Sequence, residues 1–482
     1  MFETDFLTEN PESAGEYLRQ VAQAAELLVA SLPSGPYNGK TPGELASLIE
    51  NDVLPASGRP SDQIAGLLRT IVSNSVRVNH PRTAAHLHCP PLLATLAAEV
   101  VISGLNQSMD SFDQAPIATM VEQRMTRWLC SQAGLPSTAD GTFTTGGSQS
   151  NYMGLLLARD AYLHKKWNWS GQKSGLPPEA RRLRILCSET AHFTVEKSAS
   201  QLGLGTDAVV RVDVDEGFCM KPQELRETIQ KLLADELLPM AVIATAGTTD
   251  FGSIDPLPEV SAIAKQSGAW FHVDAAYGGA LLFSGLHKNR IHGIDQADSI
   301  TIDFHKLFWQ PIPCSVFLLR EAKHFDLIKV NSDYLNPEAH EDAGIPNLVT
   351  TSLLTSRRFD ALKLWISFQA LGRSKLGAMI DRAMELALSA AEMIRHTARL
   401  ELVCEPQLST VVFRYVPDDL SKDVDELNAA LSQRLFDRGI AVIGHTRVRG
   451  RQCLKFTFMN PAVSEDEVKG LLQAIVEQGN LL

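Results

Sequence analysis

Several features that mark other protein classes are missing from this 482-residue sequence. No run of apolar residues reaches the roughly 18 that a membrane-crossing helix needs. The start, MFETDFLTENPES, is acidic and has neither the basic nor the apolar region of a secretory signal, so a cytoplasmic protein is expected. No cluster of Lys and Arg stands out, and 44 basic against 56 acidic residues leave a formal net charge of -12. Nucleic acids and anionic membranes require a concentrated positive field, so neither is an expected partner. The seven cysteines (Cys89, Cys130, Cys187, Cys219, Cys314, Cys404, Cys453) are dispersed and form no CxxC pair. That pattern argues against a disulfide framework or zinc ribbon, and for small buried apolar residues. Internal repeats and low-complexity segments are absent as well.

The length and a hydrophobic content of 44% suit one large domain with one or two smaller ones. Helical periodicity in AGEYLRQVAQAAELLVASL and again in PPLLATLAAEVVISGLNQ predicts an N-terminal helical arm over residues 1–110. Between 111 and 374 the apolar runs LRILCS, AVVRVDV, MAVIATAG, WFHVDAA, SITIDFH and CSVFLLR alternate with helical segments. Such alternation predicts an α/β domain built on a large, mostly parallel sheet covered by helices. A long helical stretch follows, and then LELVCEP, TVVFRYV, IAVIGHT and CLKFTFM around a helix near NAALSQRLFDRG predict a small C-terminal α/β domain over 375–482. Trp167 to Arg182, WNWSGQKSGLPPEARR, reads as an exposed connection.

Three stretches place chemistry where strands or helices should end. In TTGGSQSN, Gly146, Gly147 and Ser148 precede a helical run, where free amides can hold an anion or serve as a plain cap. In FHVDAAYGG an apolar run brings Asp274 to the C-terminal end of a strand, the edge at which open α/β sheets bind ligands; a helix cap or structural ion pair is the alternative. In SITIDFHK, Ile300 and Ile302 face one side and Thr301 and Asp303 the other, and the run closes on His305 and Lys306. A lysine there is either poised or merely solvated. Taken together, an anion cradle, an acid and a lysine match pyridoxal phosphate, which needs a phosphate anchor, a partner for its pyridine nitrogen and an amine to attach to.

The ordered series TTGGSQSN, SETAHFTVEKSA, ATAGTTDFGSIDP, HVDAAYGG and DFHK, over about residues 80–375, resembles the group II pyridoxal-phosphate-dependent amino-acid decarboxylases. The resemblance implies a fold-type I (aspartate aminotransferase-like) architecture, pyridoxal 5'-phosphate as cofactor, and a homodimer with shared active sites. It implies that Lys306 carries the cofactor, that Asp274 pairs with the pyridine nitrogen, and that His192 stacks on the ring and aids proton transfer. Ala276 would pack on the opposite ring face, Gly147, Ser148 and His305 would contact the phosphate, and Thr248 would lie near the ring. Val330 to Gly344, VNSDYLNPEAHEDAG, resembles the family's mobile loop with Tyr334 as its catalytic tyrosine, and the polar, breakable composition suits a lid. TSLLTSRRFDALKLW resembles the segment that reaches the neighbouring subunit's site, where Ser356 would touch phosphate.

Aminotransferases of the same fold share the lysine, acid and phosphate cup, and the His192 segment with the Tyr334 loop separates the two activities. A catalytically silent binding protein could keep the fold without these groups. HPRTAAHLH (His80, His86, His88) comes with no paired cysteines or HExxH pattern, so no metal is expected. For the substrate, NQSMDSFDQ and DFHKLFWQPIPCS are most similar to bacterial diaminobutyrate and siderophore-associated lysine decarboxylases. That implies diamine synthesis from 2,4-diaminobutyrate or lysine, with ornithine open and an aromatic or glutamate substrate as the alternative. His88, Asp110 and Asp113 are the candidate contacts, because a desolvated distal ammonium needs a partner; the two aspartates could equally cap the helix beginning near Pro116.

Overall fold

The computed structural model describes residues 5–50, 55–419 and 421–482, so the first four residues of the acidic start lie outside it. Contacts divide the chain into two compact units. One is Leu87–Leu388 with Cys404–Val411; the other joins the residues up to His86 to Ser389–Val403 and Val412–Leu482. No helix among the described residues is long and apolar enough to cross a membrane.

The larger unit is built on a seven-stranded sheet. Its strands are β1 (Asp140–Thr144), β2 (Leu183–Ser188), β3 (Val209–Val212), β4 (Leu238–Thr245), β5 (Trp270–Asp274), β6 (Ser299–Asp303) and β7 (Ser315–Leu319). They lie in the order β1-β7-β6-β5-β4-β2-β3. The run from β6 to β3 is parallel, while β7 is antiparallel to both β1 and β6. Every residue of β5, β6 and β7 is buried, as expected of strands covered on both faces. The polar face of SITID therefore meets protein rather than water, and the Thr301 hydroxyl donates to Asn151 Oδ1 at 2.8 Å. β1 is a strand that composition conceals: DGTFT is short and polar, and its pairing with β7 from Asp140↔Leu319 to Thr144↔Ser315 makes it one.

Two helices frame the ligand edge of this sheet. α1 (Gly147–Trp167) starts directly after β1 and buries Asn151, Met153, Gly154, Leu155 and Leu157. Its last turn carries His164, Lys165 and Lys166, which complement the carbonyl end of the helix dipole. α2 (Thr194–Gln201) follows the His192 segment. A third, α3 (Ala361–Arg395), is interrupted at Gly372, whose φ of 70° is left-handed backbone that glycine adopts without a side-chain clash.

The segment Thr83–Ala84 and strands β8 (Leu400–Leu402), β9 (Thr410–Tyr415, of which Val412–Tyr415 belong to the smaller unit), β10 (Val442–Val448) and β11 (Arg451–Thr457) form a second sheet ordered Thr83–Ala84, β10, β11, β9, β8. This division differs from the three parts expected at 110 and 374. Thr83 pairs with Val442 in parallel, and Tyr37 stacks on Phe436 at 4.5 Å, so the first stretch of the chain completes the C-terminal unit. Residues after His86 instead join the large unit, where Leu92 N donates to Trp309 O and Met109 N to Arg357 O, both at 3.0 Å.

Candidate active site

The C-terminal ends of β4, β5 and β6 present Thr245, Asp274 and Asp303 to one cavity of about 310 Å³. Its walls also include Gly147, Ser148, His192, Ala276, His305 and Lys306. A larger cavity of about 550 Å³ opens by Tyr162, Trp270 and His324, at the opposite strand ends, and contains none of the expected site residues.

Asp274 is oriented from behind by a directional chain of hydrogen bonds. Its Oδ2 accepts from Asn151 Nδ2 at 2.7 Å and its Oδ1 from Ala276 N at 3.1 Å. Asn151 Oδ1 in turn takes Thr301 Oγ1 at 2.8 Å and His272 Nε2 at 3.0 Å, which fixes the amide orientation. His272 Nδ1 faces Ser299 Oγ at 2.8 Å, and that oxygen receives the Trp270 indole N–H at 2.8 Å. Burial pushes the His272 pKa down to about 4, so the ring is neutral and can donate from Nε2 while accepting at Nδ1. Gly154 permits this arrangement, because a Cβ there would come within 2.7 Å of His272 Nδ1.

At the next strand end, Lys306 Nζ lies 3.0 Å from Asp303 Oδ2, and Ser315 Oγ donates to Asp303 Oδ1 at 2.6 Å. His305 Nδ1 contacts the Cys314 carbonyl at 3.0 Å, which leaves Nε2 on the side of Asp303, 3.7 Å from Oδ2. Burial lowers the pKa of His305. The loop carrying both residues is pinned: Phe304 N and His305 N donate to Cys314 O, and Gln310 N returns to Phe304 O. From α3, the buried Lys363 donates to Pro311 O at 3.1 Å and Pro313 O at 2.5 Å.

The opposite wall is the start of α1, whose first amides have no intrahelical acceptors. Two further polar atoms in the wall, Thr245 Oγ1 and Gln149 Nε2, are buried without a protein partner. Free amides and orphaned polar groups beside a lysine and an oriented carboxylate fit a phosphorylated, nitrogen-containing cofactor. His192 completes the wall, with Nδ1 3.0 Å from Thr194 Oγ1, and burial lowers its pKa toward the neutral ring.

A family model described as the pyridoxal-dependent decarboxylase conserved domain matches residues 42–416. The chain belongs to this family. It is 39% identical over 481 residues to L-2,4-diaminobutyrate decarboxylase of Acinetobacter baumannii, covering 98% of this chain and 94% of the relative. Identity to L-2,4-diaminobutyrate decarboxylase of Rhizobium meliloti (strain 1021) is 41% over 471 residues, covering 97% and 92%. The crystal structure of the glutamate decarboxylase domain of diaminobutyrate-pyruvate transaminase and L-2,4-diaminobutyrate decarboxylase from Vibrio parahaemolyticus matches with a TM-score of 0.92 at 39% identity, covering 100% and 99% of the two chains. The fold is fold-type I, and the protein is a pyridoxal-phosphate-dependent amino-acid decarboxylase.

Not every expected residue of this decarboxylase reaches the cavity. Thr248 is turned away, its hydroxyl 2.7 Å from Ser253 Oγ, and Thr245 and Thr249 line the wall instead. Tyr334 is 86% exposed, and Ser356 and His88 are exposed outside the lining. Asp110 is buried, with Oδ1 accepting from Ser111 N at 2.9 Å, and Asp113 accepts from Ser111 Oγ at 2.6 Å. Neither aspartate caps the helix at Pro116, whose N-cap is Ala115 with no side-chain bond. Asp303, Asn151 and His272 were not singled out for the site in the sequence reading. Their signal was present: a polar residue inside a fully buried strand or helix face needs a partner, and here each is another member of the site.

Proposed function

We propose that this enzyme decarboxylates a small basic L-amino acid, 2,4-diaminobutyrate first, releasing the diamine and carbon dioxide. The observation that carries the reading is the convergence of Lys306, Asp274 and the α1 amides on one small cavity, in a chain similar over nearly its whole length to L-2,4-diaminobutyrate decarboxylases. When bound, pyridoxal phosphate supplies an electron sink for the pair left on the substrate carbon as carbon dioxide departs.

Lys306 would hold the cofactor covalently, and the α1 amides with Ser148 and His305 would take its phosphate. Asp274, kept in place by Asn151, would hold the proton on the pyridine nitrogen that makes the ring electron-poor. His192, neutral by burial, would cover the ring without adding a competing charge. Tyr334 would deliver the proton to the substrate carbon from a loop that closes and excludes water. We assign the enzyme to a homodimer whose second copy brings Ser356 to the phosphate and closes the substrate side. Asp110 and Asp113 lie off the cavity, so a direct role for either would need presentation from that second copy.

The test is a panel of diaminobutyrate, ornithine, lysine, glutamate, tyrosine, DOPA and tryptophan with the cofactor-loaded enzyme, reading carbon dioxide and amine. Highest kcat/KM for diaminobutyrate is expected. Preference for an aromatic or acidic substrate overturns the substrate assignment, and keto-acid formation without carbon dioxide overturns the chemistry.

A further inference from the structure

We propose that Thr194 and Asn151 are positioning residues that lock His192 in one tautomer, with the ring proton on Nε2, so that His192 meets its ligands as a hydrogen-bond donor. The inference deepens the cofactor assignment above and rests on it for its part in the reaction. Thr194 opens α2 and is 2% exposed, and its hydroxyl lies 3.0 Å from His192 Nδ1. That contact alone allows either atom to donate, and two further bonds decide the direction. The Thr194 backbone N–H also points at Nδ1, 3.4 Å away, and a backbone amide can only donate. The hydroxyl oxygen meanwhile accepts from Asn151 Nδ2 at 3.1 Å, which leaves its own proton for Nδ1. A nitrogen that receives two donors carries no proton itself, so the neutral ring holds its proton on Nε2.

The lock is set from deeper in the sheet. Asn151, one turn into α1, is 4% exposed and divides its two amide hydrogens between Asp274 Oδ2 at 2.7 Å and Thr194 Oγ1. The amide is held against flipping, because its oxygen already accepts from Thr301 Oγ1 at 2.8 Å and His272 Nε2 at 3.0 Å. A flipped amide would set its oxygen against the Asp274 carboxylate and turn its N–H groups onto two donors. One side chain therefore directs both the acid that meets the pyridine nitrogen and the histidine that covers the ring. Thr194 is outside the cavity lining and acts through His192, which lines it. The opposite tautomer would offer the cavity a lone pair in place of a donor, beside ligands whose phosphate and carboxylate oxygens are themselves acceptors.

The test is nitrogen NMR of enzyme carrying isotope-labelled histidine, with and without pyridoxal phosphate, the His192 signals being identified by their loss in His192→Gln. Above neutral pH, wild type should show a pyridine-type Nδ1 and a pyrrole-type Nε2. Thr194→Val keeps the shape without the hydroxyl. It should let the Nδ1–H tautomer appear and lower kcat on the order of tenfold, with KM changed less than about twofold and the visible absorbance of Lys306-bound cofactor kept. Thr194→Ser retains the hydroxyl and should restore both the tautomer and kcat. A pyrrole-type Nδ1 in wild type overturns the proposal. So does Thr194→Val with an unchanged tautomer or unchanged kcat, or Thr194→Ser no better than Thr194→Val. If Thr194→Val does not fold, the wild-type spectrum decides: a pyridine-type Nδ1 supports the lock and a pyrrole-type one overturns it. Failure of pyridoxal phosphate to attach to Lys306 would instead overturn the cofactor assignment, while the tautomer would still be read in the cofactor-free enzyme.

Discussion

Two lysines of the large unit, Lys363 fully buried and Lys306 half-buried, show what separates a structural amine from a reactive one. Lys363 is 0% exposed, and its Nζ lies 2.8 Å from Asp360 and 3.1 Å from Glu99 while also donating to the Pro311 and Pro313 carbonyls. Lys306 has a side chain 17% exposed, opens onto the cavity, and is paired with Asp303. The histidines repeat the contrast: His272 is sealed within the sheet, whereas His192 lines the cavity. None of the four is exposed. Reactivity belongs to the groups whose partner can be exchanged for a ligand.

Exchanging the lysines' roles by mutation should break the comparison if it is mistaken. Lys306→Ala should abolish covalent cofactor attachment and lower kcat by at least about 10³-fold, read by visible absorbance and carbon dioxide release. Borohydride reduction of the wild type should place the cofactor on Lys306; an adduct on Lys363 would invert the assignment. Lys363→Met should instead cost stability, by about 3 kcal/mol in denaturant unfolding, since it leaves the buried Asp360 with only Arg358 at 3.8 Å while Glu99 keeps its pair with Arg358, and the cofactor should still attach to Lys306.

The histidine pair sharpens the same point through pH. With its folded pKa moved by burial from 6.5 to about 4, His272 binds fewer protons in the folded than in the unfolded chain between those values. Its stabilising contribution is present above pH 6.5 and lost as pH falls toward 4, by roughly 3 kcal/mol over the whole window. Unfolding curves of His272→Asn should show a flatter acid limb than wild type. Tyr334→Phe should leave cofactor binding intact and slow amine release by about 10²-fold; unchanged amine production removes the tyrosine from the mechanism. The smallest effect is expected at Asp113→Asn, no more than about threefold in KM, because the carboxylate is exposed and off the cavity. A larger rise would place it beside the substrate ammonium.

The large sheet was legible because its strands carry continuous apolar runs, and the cradle, acid and lysine were legible because each sits where a run ends. Other parts depended on pairing that no local pattern records. DGTFT becomes a strand only against β7, and Thr83–Ala84 joins a sheet only through Val442 and Ile443, far along the chain. Thr248 looked like a ring contact by its place in AGTT, yet its hydroxyl is consumed by Ser253, and Thr245 one turn of sequence earlier faces the cavity. The substrate-side residues were least legible, since Asp110 and Asp113 spend oxygens on Ser111 and are not in the cavity wall.

The loop that carries Lys306 joins two antiparallel neighbours in which Asp303 already faces Ser315. Its length is therefore set from both ends, and Lys363 grips its last part through the Pro311 and Pro313 carbonyls. An inserted residue cannot be absorbed there without sliding a strand past its partner or displacing the amine. Diversification of this scaffold, by nature or in the laboratory, has to come from elsewhere: libraries that vary loop length belong in connections such as Trp167 to Arg182, while the lysine loop admits changes of side chain alone.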